Sequence, residues 1–193
     1  MNAPARIDAP AAGPPNRFRL RVADYLLLHE QGSLGDLKTE LVDGEVLVLS
    51  PEWRPHFRIK SELVYRLRRA VEAAGLPYFV GTEGSIALSD TDMPLPDLLL
   101  TSEPEGDGPI PRESVPLVAE IASATITSDL GNKGVRYAVG GIPEYWIVDV
   151  NNRRVIRMWS PAPDGYARTD EIGFGEPLAS ATIPNLAIET DGL

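Results

Sequence analysis

The apolar positions of the chain change period several times, and each change marks an element. From about Pro55 to Ala74 they fall three and four apart, at Ile59, Leu63, Val64, Leu67, Ala70, Val71 and Ala74, which predicts a helix with one buried stripe. Val22, Tyr25, Leu26 and Leu28 predict a shorter helix from Arg21 to Gly32, where the glycine can end it. Elsewhere the apolar residues form short runs. Asp43-Gly44 lies between Leu41-Val42 and Val46 to Leu49, the strongest short-range hairpin signal. The second of those runs is apolar throughout, as expected for a strand covered on both faces.

Tyr78 to Leu88 predicts a strand or a bent pair, with Gly81 and Gly84 permitting a bulge. Two short strands are expected at Pro96 to Thr101 and Leu117 to Ala122, separated by a surface loop from Ser102 to Ser114. Ser128 to Gly140 predicts a helix, with Ser128 as N-cap and Gly140-Gly141 as the stop. Glu144 to Val150 predicts a buried strand, which Asn151-Asn152 turn into Arg154 to Trp159; strands near Tyr166 to Glu171 and Leu186 to Glu189 follow. This order predicts an α/β fold, a mixed central sheet flanked by helices. Residues 1–16, rich in Ala and Pro, read as a flexible N-terminal arm before a single domain over 17–193.

Composition narrows the chemistry. A chain of 193 residues with 43% hydrophobic and 24% charged residues is long enough to bury a core. With no cysteine, disulfides and thiolate metal sites are excluded, and His29 and His56 are too few for a histidine-rich zinc site. No apolar run approaches the ~18 residues of a membrane span and the N-terminus lacks a signal peptide's apolar core, so the cytoplasm is the expected location. The net charge of −10 argues against a strong, general nucleic-acid binder. One stretch departs from that balance: Arg54, Arg58, Lys60, Arg66, Arg68 and Arg69 crowd the long helix off its apolar stripe.

Two of the oily strands each carry a carboxylate, Asp97 and Glu120. Burying an unpaired acid is costly, so each needs a cation, a donor or a metal nearby. Lys133, on the following helix, is an available cation, and two acids with a lysine at neighbouring strand ends suit a hard ion such as Mg²⁺. A plainer reading makes them strand-end acids that cap a helix or pair with arginine.

The succession Glu40-Leu41-Val42-Asp43-Gly44-Glu45, Pro96-Asp97, Glu120-Ile121-Ala122-Ser123, Asp129…Lys133…Tyr137 and Gly141-Ile142-Pro143-Glu144-Tyr145-Trp146-Ile147-Val148-Asp149 resembles the Uma-type restriction endonuclease family of the PD-(D/E)xK nuclease superfamily. The resemblance runs from about Phe18 to near the C-terminus. It implies a restriction-endonuclease-like fold and Mg²⁺- or Mn²⁺-dependent hydrolysis of DNA phosphodiesters. Asp97, Glu120 and the carbonyl of Ile121 would then hold the metal, with Glu40 assisting through a water or a second ion. The superfamily's usual lysine lies two residues after the glutamate, where this chain has Ala122; Lys133 takes its place in the Uma-type pattern.

Each residue also has an ordinary explanation. Lys133 could simply pair with Asp129, and Glu40 could be an edge acid facing water. Tyr137 could donate to a phosphate or only pack, and His56 could touch a phosphate or be structural. Arg58 and Arg69 could contact a phosphate backbone, or the basic face could serve solubility. The Gly141–Trp146 segment looks architectural, a turn feeding a core strand. Two rivals to a nuclease therefore remain: a catalytically inactive nucleic-acid-binding or regulatory protein, and a metal enzyme with another substrate. A homodimer is expected by analogy with nucleases that cut both strands.

Overall fold

Where a strand is covered on both faces, alternation between apolar and polar residues disappears, and four of the described strands are buried along their whole length. The computed structural model describes residues 17–122 and 129–193; the expected arm over 1–16 and the expected N-cap Ser128 lie outside them. In chain order the first elements are α1 (Val22–Glu30), β1 (Thr39–Val42), β2 (Glu45–Val48), α2 (Arg54–Ala73), β3 (Phe79–Gly81), β4 (Ile86–Ala87), β5 (Leu98–Thr101) and β6 (Ile110–Pro111). They are followed by β7 (Leu117–Ala122), α3 (Gly134–Val139), β8 (Glu144–Asp149), β9 (Arg154–Ala162), β10 (Gly165–Gly173), β11 (Pro177–Ala179) and β12 (Ala187–Glu189).

The central sheet has six strands in the order β10-β9-β8-β7-β5-β3. Only β7 and β8 pair in parallel within it, joined through α3, so the sheet is mixed as the sequence predicts. Successive residues of a strand point to opposite faces. On one face Leu117, Ala119 and Ile121 of β7 and Trp146 and Val148 of β8 pack in a cluster with Ile59, Leu63, Leu67 and Val71 of α2. On the other, Val118, Ala122, Tyr145 and Ile147 pack with Tyr137 of α3 and Ile142.

The long helix keeps its predicted stripe, but Lys60 does not lie among the exposed basic residues; it is buried and held by Glu52 and Glu83. The Asp43-Gly44 hairpin forms, with φ of 49° and 73° at its two turn residues, the positive values a two-residue turn needs. Its second strand differs from expectation: Leu47 and Val48 of β2 are exposed. They belong to a two-stranded sheet formed with β1 outside the central sheet, so β2 lacks the cover on both faces that its apolar run predicts. The helix expected from Ser128 begins, within the described residues, as a π-helical turn over Asp129–Lys133 before α3. Gly131 and Gly134 weaken regular α-helix there. At its end Gly140 serves close approach, because a Cβ there would lie 2.3 Å from Leu88 Cδ1, while Gly141 at φ +82° takes the left-handed cap. The expected loop after β5 contains the short β6, parallel to β4. The strand β11 was not expected; three residues beginning with proline carry too little period to detect.

The Gly141–Trp146 segment is architectural, and Tyr145 and Trp146 are fully buried. Glu144 ties the C-terminal segment to the sheet. Its carboxylate accepts from the Trp146 indole at 2.6 Å, Ser180 Oγ at 2.6 Å, the Thr182 amide at 2.9 Å, Thr182 Oγ1 at 2.8 Å and the Ala181 amide at 3.0 Å. All are neutral donors fixed by the fold, and together they satisfy the hydrogen-bonding capacity of the buried carboxylate.

Glu144→Ala leaves the buried Trp146 indole without an acceptor and releases the segment over 180–182 that the carboxylate holds. It should lower the unfolding free energy by roughly 3 kcal/mol and speed amide exchange over residues 180–183. Denaturant melts and hydrogen exchange test this, and a loss below about 1 kcal/mol would contradict it.

Candidate functional site

At position 120 the strand β7 places a carboxylate on the face that α3 covers, and only 4% of that residue is exposed. Two residues one helical turn apart reach it. The Tyr137 hydroxyl donates to Glu120 Oε1 at 2.9 Å, and Lys133 Nζ lies 3.0 Å from Oε2. Spacing of four residues puts both on one side of the helix. Burial, then the negative charge of Glu120, pushes the Tyr137 hydroxyl well above its ordinary pKa, so it stays protonated and can only donate to this carboxylate. Tyr137 is buried, with its hydroxyl turned inward, and so is not presented to a nucleic acid as the sequence reading allowed.

Asp97 precedes β5 by one residue and anchors to the neighbouring strand: its Oδ2 accepts the Ile121 amide at 2.8 Å. Its other oxygen, Oδ1, lies 3.0 Å from His56 Nε2 in the first turn of α2. Glu40, from β1, accepts the Leu95 amide at 3.2 Å, two residues before Asp97, and its charge also acts on the buried Tyr137. Glu40 and Lys133 line a cavity of about 780 Å³ between the hairpin and α3, with Asp92 and Arg136 on its wall. Among the expected residues, then, Glu120, Lys133 and Tyr137 are in direct contact. Asp97 joins them through the backbone of Ile121, Glu40 approaches from the hairpin, and Arg58 and Arg69 lie apart on the exposed face of α2.

The structure adds residues beside Asp97. The ligand atoms of Glu52, His56 and Asp97 lie within 4.8 Å of one another. His56 Nε2 is buried and, though near Asp97, sits off the line of a hydrogen bond, so it has no such partner among the described residues. Two carboxylates and an imidazole with a free lone pair or proton are a donor set that divalent transition ions accept. Glu52 is also ion-paired with Lys60, which reaches on to Glu83, itself 2.7 Å from Lys38. Burial alone would lower the Lys60 pKa, but the two carboxylates outweigh it and raise it. For Glu83 burial works upward and the two lysines win, holding it down at about 2. The sequence signal for the added pair was the four-residue spacing of Glu52 and His56 across a helix start.

Comparison with known proteins gives the family from the sequence and the fold from a solved structure. The sequence model of the Uma2 family, described as "Putative restriction endonuclease", matches residues 22–191. A solved structure of "a putative nuclease belonging to DUF820" from Anabaena variabilis is similar at a TM-score of 0.61 and 19% identity, over 86% of this chain and 90% of that one. No curated protein matches the chain.

The His56–Asp97 pair makes a testable claim about pH. The interaction with Asp97 raises the His56 pKa above 6.5 against the opposing effect of burial. For Asp97 burial works upward, but His56 and the Ile121 amide outweigh it and lower the pKa from 3.8. The histidine's contribution to stability is fully present below its unfolded pKa and is lost as pH rises through the folded one; the aspartate's is lost as pH falls through its own lowered value. In divalent-free protein the His56 imidazole should titrate above 6.5 by NMR, and Asp97→Asn should bring the midpoint down. A midpoint indifferent to that substitution would show that the pair does not interact.

Proposed function

The chain belongs to the Uma2 family, and from that premise we propose that it is a divalent-metal-dependent endonuclease that hydrolyses DNA phosphodiesters. The observation that carries the reading is the meeting of Glu120 with Lys133 at 3.0 Å, beside an Asp97 carboxylate bonded to the amide of the next residue, Ile121. Asp97, Glu120 and the Ile121 carbonyl would hold Mg²⁺ or Mn²⁺, whose oxygen preference they suit. When bound, such an ion polarises the phosphate and stabilises the leaving oxygen.

The protein's own groups divide the remaining work. Lys133 supplies a compact positive charge that orients the attacking water and offsets charge developing on the phosphate. Tyr137 fixes one oxygen of Glu120 and so aims the other. The Ile121 amide fixes Asp97 in the same way. Glu40, with one oxygen on the Leu95 amide, is held where its second oxygen can bind a water. His56 and Glu52 extend the donor set around Asp97.

One observation favours a second reading. Both Glu120 oxygens are already engaged by a cation and a phenol, so the site is internally neutralised, as suits a binding protein that does not cleave. The two readings diverge in a single assay. With Mn²⁺, purified protein should cleave DNA; Asp97→Ala should abolish cleavage, and Glu120→Gln and Lys133→Ala should each reduce it roughly 100-fold or more. Binding without cleavage in any divalent ion would favour the second reading, and cleavage that survives Asp97→Ala would place the chemistry elsewhere.

A further inference from the structure

The solvent side of α2 combines two features that the Asp97–Glu120 site does not use. Trp53 just before α2, Phe57 in its first turn and Tyr65 two turns further on expose large rings, at 79%, 61% and 56% of their surface. Arg54 and Arg58 stand exposed among them, and Arg69, also exposed, follows one turn after Tyr65. Arg69 lies over the Tyr65 ring at 5.9 Å from its centre. From Trp53 to Tyr65 the helical rise sets a row about 18 Å long. The row begins beside His56, which reaches Asp97. Beside Phe57 and Ser61, a cavity of about 710 Å³ opens toward Lys38.

We propose that this row is a track for single-stranded DNA, which it delivers to the Asp97 end of α2. Exposed rings stack on unpaired bases, whose faces a duplex hides, while interleaved guanidinium groups neutralise the phosphates between them. A second copy of the chain fits less well. In a two-fold contact the same patch meets itself, and that would set arginine against arginine. The charge argues in the same direction: in a chain of net charge −10, Arg54, Arg58 and Arg69 stand exposed along this helix, where a polyanion is a complementary partner. The proposal rests on the endonuclease reading for its biological sense, but the track itself is tested without cleavage.

The experiment uses the full chain in EDTA with an oligothymidylate of about twelve nucleotides and a duplex of equal length, read by anisotropy and tryptophan fluorescence. The oligothymidylate should bind more tightly than the duplex and quench Trp53. Trp53→Ala, Phe57→Ala and Tyr65→Ala should each weaken it roughly 5- to 150-fold. Arg58→Gln should lower the salt slope by about one. Because these side chains are exposed, thermal midpoints and the His56 NMR signature should stay as in wild type, which separates a lost track from a misfolded chain. Tighter binding of duplex, or aromatic variants that bind the oligothymidylate like wild type, would overturn the track. So would a dimer in sedimentation that these substitutions dissociate. Loss of cleavage in Asp97→Ala with oligothymidylate binding intact separates failure at the site from failure of the track.

Discussion

The structure is constrained above all by a carboxylate inside a strand that has no solvent face. β7 is flanked by β5 and β8 and covered above and below, yet it carries Glu120. A lone charge there would be costly enough to unfold the domain or to protonate itself. The solution fixes the neighbourhood. A cation and a phenol must arrive together, and residues 133 and 137 do so because they are one turn apart on the segment that returns the chain from β7 to β8. The parallel pairing of β7 and β8 requires just such a crossover. The connection the sheet needs is therefore also the one that neutralises its buried acid.

Three carboxylates close to the sheet are satisfied in three ways, and the differences separate architecture from candidate chemistry. Glu144 accepts from neutral donors, the Trp146 indole and the backbone and hydroxyls of 180–182, and it locks a terminal segment. Glu120 has an ammonium whose side chain keeps partial exposure to the adjoining cavity. Asp97 has an amide on one oxygen and an imidazole, poorly aligned, on the other. Fixed neutral donors leave no place for a ligand. A flexible ammonium and a misaligned imidazole can each move aside, and in that respect Glu120 and Asp97 differ from Glu144.

Much of this was legible in the sequence, for identifiable reasons. The stripe of α2 and the uninterrupted runs of β5, β7 and β8 follow from burial, which writes directly into composition. The Asp43-Gly44 turn follows from backbone sterics. What could not be read was coverage: Val46 to Leu49 has the composition of a buried strand, but whether anything lies over it is decided by elements far away in the chain. The same limit applied to Lys60, whose position next to the apolar stripe does not reveal that Glu52 and Glu83 converge on it. At the site, acids in oily strands were a visible anomaly, so Asp97 and Glu120 stood out. His56 reads in the sequence as a phosphate contact or a structural residue, because its spacing from Glu52 does not reveal that it meets an aspartate 41 residues later.

Asp97 also connects the two halves of the molecule mechanically. One of its oxygens is bonded to the backbone of β7, in the rigid centre of the sheet, and the other faces the first turn of α2. Further along, α2 is held by apolar contacts of Ile59, Leu63, Leu67 and Val71, which are not directional, and by Arg66 and Arg68, which donate to the Glu189 and Val80 carbonyls. The orientation of its first turn depends on directed groups: His56 toward Asp97, and Lys60 toward Glu52 and Glu83. Anything that binds the exposed side of that turn pulls on the same residues that face Asp97. The first turn of α2 thus has an outward side of rings and guanidinium groups and an inward histidine that faces the Asp97 carboxylate.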